Sequence, residues 1–134
     1  MEHYTIEIPG LELGVLVGQG AHSVVFRARK GNTQCAVKLP RRQAGLRPEE
    51  RNAFLREAAI AARVSDNRLP KIYESGVVDD CPFIVMEFME GVTLAMELGT
   101  VRLSSEQACQ MGVDIAGALN TLHEKQILHR DVKP

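Results

Sequence analysis

Val17-Gly18-Gln19-Gly20-Ala21-His22-Ser23-Val24-Val25-Phe26, with Cys35-Ala36-Val37-Lys38 soon after it, is the stretch that organises the reading of this chain. The first segment reads as a glycine-rich turn between two strands. The second reads as a strand that brings one lysine to the same place. Gly18 and Gly20 can take backbone angles closed to other residues and let the chain lie close over a ligand. Backbone N–H groups then face phosphate oxygens, and Lys38 adds a compact positive charge. Two glycines alone also fit a plain hairpin, so the context has to discriminate. A dinucleotide-binding turn must open a helix. Here Ser23–Arg29 is rich in β-branched and apolar residues and reads as a strand. A Walker A turn carries Gly-Lys-Ser/Thr at its end, and that string is absent. What remains is hairpin, strand, lysine.

Working outward, Met1–Gly10 is a lead-in that ends on a Pro9-Gly10 turn. Leu11–Val17 alternates as a first strand. Lys30-Gly31-Asn32 turns the chain into a third strand, Thr33–Leu39. Ala36 and Lys38 are two apart and share a face, and the small Ala36 leaves room for a flat ring. Val25 reaches the same ligand from the second strand. The alternative for Lys38 is a surface lysine with a buried stem.

Pro48-Glu49-Glu50 opens a helix that runs to about Val64, since proline and acids suit the first turn. Ala53, Glu57, Ile60, Ala61 and Val64 fall at helical spacing, which turns Glu57 inward. A buried carboxylate needs a partner. Lys38 is the candidate; the alternatives are a solvated Glu57 or pairing with Arg56 or Arg63. Leu69–Val78 reads as a fourth strand, Asp79-Asp80 as a turn and Pro82–Glu87 as a covered fifth strand. Phe88-Met89-Glu90-Gly91 breaks the pattern. Thr93–Leu98 is a short helix. Ser104 and Gln107 form a capping box for a longer one, with Ala108, Met111, Ile115, Leu119 and Leu122 as its apolar stripe. Gly112 and Gly117 each weaken that helix by about 1 kcal/mol relative to alanine.

The chain has 134 residues, a formal net charge of -1, 45% hydrophobic and 25% charged residues. That suits one domain of ordinary soluble composition. The charge argues against nucleic acid or an anionic membrane as partner. No run approaches the roughly 20 apolar residues of a membrane span. Cys35, Cys81 and Cys109 fit no metal-ligand spacing, and their apolar neighbours suggest reduced core thiols in a cytoplasmic setting.

At its far end the chain reaches His129-Arg130-Asp131-Val132-Lys133-Pro134. With the glycine turn and Lys38, this string resembles a protein kinase catalytic domain, from about Leu11 to the last residue. The resemblance implies an α+β fold. Residues 1–89 would form the small lobe and hinge, a five-stranded antiparallel sheet plus one helix. Residues 90–134 would begin a larger lobe. It implies ATP bound by Val17, Gly18, Gly20, Ser23, Val25, Ala36, Lys38 and Glu57. Met86 would stand behind the adenine, or simply fill the core, and Glu87 and Met89 would offer hinge backbone groups. Lys38 would hold the phosphates, steadied by Glu57. Asp131 would orient the attacking hydroxyl and accept its proton. Lys133 would steady the transferring phosphoryl, and a lysine at this spacing goes with serine/threonine specificity on protein substrates. His129 is expected to be packed and structural, and Arg130 to support loops.

Ser23 replaces a glycine common in the family, and His22 an aromatic tip. The family's metal-binding asparagine and Asp-Phe-Gly segment have no counterpart in these residues. Mg²⁺ therefore lacks its expected protein ligands, no metal-binding residue is assigned, and the chain is expected to be inactive by itself. The helix near 104–124 is expected to expose apolar surface that invites self-association. Two further readings remain: a non-catalytic module that binds nucleotide or a partner, and an interaction fragment without nucleotide.

Overall fold

The computed structural model describes residues 6–42, 46–129 and 132–134. Five strands and three helices follow in order: β1 (Glu12–Gln19), β2 (Ser23–Lys30), β3 (Thr33–Pro40), α1 (Pro48–Ala61), β4 (Ile72–Val78), β5 (Cys81–Met86), α2 (Leu94–Leu98) and α3 (Ser105–Glu124). They divide into two compact units, Met1–Arg63 with Pro70–Phe88, and Val64–Leu69 with Met89–Pro134.

The first unit is a five-stranded sheet in the order β1-β2-β3-β5-β4, and every pair is antiparallel. Period-two patterning sorts its side chains. Val24, Phe26 and Ala28 of β2, Cys35, Val37 and Leu39 of β3, and Phe83 and Val85 of β5 form one buried cluster. Each large apolar side chain buried there contributes about 1.5–3 kcal/mol. Ile8, from the segment read as a mere lead-in, is buried in the same cluster. The opposite face carries Val25, Arg27, Ala36, Lys38, Ile84 and Met86, because these residues pair across the strands.

The turns follow local chemistry. Gly31 has φ +59 between β2 and β3. Asp79 (φ 48) and Asp80 (φ 60) are both left-handed between β4 and β5, the shape of a two-residue type I′ hairpin, which aspartate tolerates. Gly18 and Gly20 are not among the residues with positive φ. A Cβ at either would meet nothing closer than 3.6 Å, an ordinary contact, so neither an unusual backbone angle nor crowding within the chain calls for glycine there. In β4, a Cβ on Gly76 would meet the Phe83 ring at 2.9 Å.

β4 starts at Ile72, three residues later than the apolar run suggests. Pro70 has no N–H for a ladder, and Lys71 is tied to Glu87 instead: Lys71 N–H donates to Glu87 Oε2 (3.1 Å) and Glu87 N–H to the Lys71 carbonyl (2.8 Å). α1 also stops early, at Ala61, where the Arg63 amide closes a tight turn on the Ile60 carbonyl (3.1 Å). It packs against β4 and β5. Ala58 is its buried residue, flanked by half-buried Phe54 and Leu55. The face expected to point inward, with Ala53, Glu57 and Ile60, is exposed. An alanine-rich helix has little contrast between its sides, and the bulky Phe54 and Leu55 decide which one is covered. A bond from Arg51 Nη1 to Asp80 Oδ1 (2.9 Å) ties α1 to the β4–β5 turn.

In the second unit Ser104 caps α3 with the expected box: its hydroxyl accepts from Gln107 N–H (3.1 Å), and Gln107 Oε1 accepts from Ser104 N–H (2.9 Å). Ala118 and Leu122 are its buried residues. The connector Val64–Leu69 lies on α3. Asp66 accepts from the Thr121 hydroxyl (2.6 Å) and from the Arg68 guanidinium at 2.9 and 2.7 Å. Arg68 crosses the helix over Gly117, where a Cβ would fall 1.8 Å from its Nη1.

Candidate functional site

Val25 stands opposite Lys38 across β2 and β3, and Ala36 stands opposite Met86 across β3 and β5. Cross-strand partners share a face. Val25, Ala36, Lys38 and Met86 therefore line one surface of the sheet. Ala36 is buried, and Met86 half-buried at its edge. Gly18 pairs with Val25, and a Cβ at Gly18 would lie 3.6 Å from that of Val25. Val17 beside it is exposed. This is an apolar floor under a glycine turn, with one ammonium group at its end.

Lys38 Nζ lies 3.2 Å from Glu57 Oε1 and 5.9 Å from the centre of the Phe54 ring. Its side chain is 26% exposed, that of Glu57 68%. The pair proposed from the sequence exists, but the inward, buried carboxylate does not: Glu57 reaches Lys38 from solvent. Such a pair adds little stability, because water screens it. It can still hold the ammonium in place.

At the tip of the turn, Gly20 N–H donates to the Ser23 carbonyl (2.8 Å), and Arg41 N–H to the His22 carbonyl (2.9 Å). The Gly20 amide is thus spent within the hairpin, while the amides of Ala21 and His22 take no part in these bonds. Glu87 spends its amide on Lys71, which leaves its carbonyl as the group it can offer a ligand. Arg27 lies over the Phe88 ring, 5.2 Å from its centre. Sequence reasoning missed this contact, since a lone strand arginine carries no signal of a ring sixty residues on.

Met89 is exposed, as is Lys133. His129, expected to be packed, is exposed at the rim of a groove beside α3 that Leu119, Leu122 and Lys133 also line. Arg130 and Asp131 lie outside the described residues. Among the described residues no group of three or more His, Cys, Asp or Glu side chains comes together. Cys35 and Cys81 are buried, and Cys109, expected in the core, is exposed. Burial raises the Cys35 and Cys81 thiols and keeps them protonated. Hydrogen bonds from Arg68 and then Thr121 hold the Asp66 carboxyl far below the usual carboxylate range.

Comparison with known proteins agrees with this geometry. The protein kinase domain family matches residues 11–134. A probable serine/threonine-protein kinase of Clostridium perfringens is 38% identical over 128 residues, which is 92% of this chain and 18% of that protein. Serine/threonine-protein kinase PknB of Mycobacterium tuberculosis is 35% identical over 130 residues, covering 92% of this chain and 21% of that protein. The chain thus spans about a fifth of the length of these curated relatives. Among solved structures, the Mycobacterium tuberculosis PknI kinase domain superposes with a TM-score of 0.82 at 23% identity, covering 100% of this chain and 57% of that one. A structure described as the apo form of PpkA-294 gives 0.79 at 21%, covering 99% and 55%. These two likenesses bear on fold. The family match over residues 11–134, which the antiparallel sheet and the paired lysine accompany, leads to one conclusion: the chain belongs to the protein kinase family.

Proposed function

We propose that this chain supplies the nucleotide-binding portion of a kinase that transfers the terminal phosphoryl group of ATP to serine or threonine hydroxyls of a protein. Residues 1–89 act as small lobe and hinge, and residues 90–134 begin the larger lobe. The observation that carries the reading is the Lys38–Glu57 pair at 3.2 Å, on the same sheet face as Val25, Ala36 and Met86. The adenine lies on that face under Val17, Gly18, Gly20 and Ser23, with Glu87 and Met89 offering backbone groups. Lys38 holds phosphate oxygens, and Glu57 keeps its ammonium aimed at them. Asp131 orients the acceptor hydroxyl and takes its proton, and Lys133 offsets charge on the phosphoryl group in flight. The family implies use of Mg²⁺, which neutralises phosphate charge when bound. The described residues here offer it no cluster of ligands.

Among the described residues no helix is long and apolar enough to cross a membrane, and the cytoplasmic setting is a proposal from the cysteines and composition. The 134 residues by themselves contain no Asp-Phe-Gly, so assayed alone they are expected to bind nucleotide without transferring phosphate. Calorimetric titration with ATP, Lys38→Met alongside, tests the site. Wild type is expected to bind at least tenfold more tightly. Equal binding would remove the nucleotide site and leave an interaction module. A radiolabelled phosphate-transfer assay separates a non-catalytic binder from an enzyme.

A further inference from the structure

The β1–β2 hairpin is irregular on its β1 side. The pairing of β1 with β2 shifts register between Leu13 and Leu16 and again between Leu16 and Gly18. Such bulges interrupt the ladder locally, although Gly18 pairs with Val25 and Gln19 with Val24 beyond them. A second hold comes from the other side. One residue, Arg41, follows directly on β3 and bonds the tip twice. Its N–H donates to the His22 carbonyl at 2.9 Å, and its Nη1 donates to the Gly20 carbonyl at 3.4 Å. Both bonds reach the tip from outside the hairpin.

A trans peptide unit is planar, with its C=O and N–H pointing in opposite directions. A donor that fixes the Gly20 carbonyl therefore fixes the direction of the Ala21 amide. A donor on the His22 carbonyl does the same for the Ser23 amide. Arg41 also places a positive charge on a carbonyl oxygen that would otherwise present negative charge beside a bound phosphate. We propose that Arg41 is a positioning residue for the nucleotide's phosphates: it clamps two peptide units of the glycine turn and so sets how the turn amides meet the phosphate chain. This rests on the nucleotide-site reading above and adds to it a residue outside the glycine turn, the lysine and its acid.

The test measures ADP and adenosine binding to the 134-residue chain, with amide hydrogen exchange across residues 20–23. Arg41→Ala keeps the backbone bond and deletes the guanidinium. It is expected to weaken ADP binding about three- to tenfold, the span of one modest hydrogen bond, leave adenosine unchanged, and speed exchange at Ala21 but not at Ser23, whose peptide the retained backbone bond still holds. Arg41→Lys is expected to recover part of the loss. If Arg41→Ala binds ADP like wild type while Lys38→Met does not, the clamp is wrong and the nucleotide site stands. Parallel loss of ADP and adenosine, or a loss that follows a lowered melting temperature, makes Arg41 merely structural and overturns the proposal. If wild type binds no ADP, or Lys38→Met changes nothing, the site reading falls and the clamp with it.

Discussion

The ion pair of Lys38 and Glu57 couples two side chains of unequal exposure, 26% and 68%. An exposed pair contributes at most about 1 kcal/mol. Glu57→Gln is therefore expected to shift the urea midpoint by less than that amount while weakening nucleotide binding severalfold, because the lysine loses its guide. Equilibrium unfolding beside an ATP titration checks both parts. The partnership was legible in the sequence as one option beside a solvated Glu57 or a pair with Arg56 or Arg63. Its solvent exposure was not. That depends on which side of α1 meets the sheet, and Phe54 and Leu55 settled this against the small-residue stripe.

In α3, the two glycines read alike in sequence but differ in place. No atom lies within 4 Å of a Cβ built at Gly112, whereas one at Gly117 would run into Arg68. Gly112→Ala is expected to stabilise the chain by about 0.5–1 kcal/mol through helix propensity. Gly117→Ala should forfeit that gain, since Arg68 must leave Asp66. Urea denaturation of the two variants makes the comparison. The same clip carries a pH dependence. The Asp66 carboxyl is depressed in the folded chain by Arg68 and Thr121, so its contribution is present above the ordinary carboxylate pKa of about 4. It is lost as pH falls below that value toward the folded one. Thermal melts from pH 6 to pH 3 should fall more steeply for wild type than for Asp66→Asn. Strands β2, β3 and β5 were readable because alternation and turn residues are local signals. The Arg68 crossing was not, because nothing near Gly117 in the chain announces a guanidinium from fifty residues earlier.

Across the whole molecule, apolar surface is uneven. Val113 (63% exposed) and Ile115 (41%) stand out on α3, and Ile115 borders the groove that holds Leu119 and Leu122. The 134-residue chain is expected to self-associate through this helix. Sedimentation velocity over a concentration series should show a rising average mass for wild type, and a flatter response for Ile115→Lys. The family and the five-stranded sheet were legible from two short strings and their order. The hairpin's backbone was less so: glycines that seemed to call for special angles take ordinary ones, and Arg41 lies beyond any motif.

The three thiols differ in shelter. Cys35 and Cys81 sit inside the sheet unit, while Cys109 faces outward from α3. A thiol-reactive dye added to the native chain should therefore label one position rapidly, and the other two only when the sheet opens. Peptide mapping after a timed pulse would assign each label. The slow pair makes an internal clock for opening of the very layer that carries Lys38.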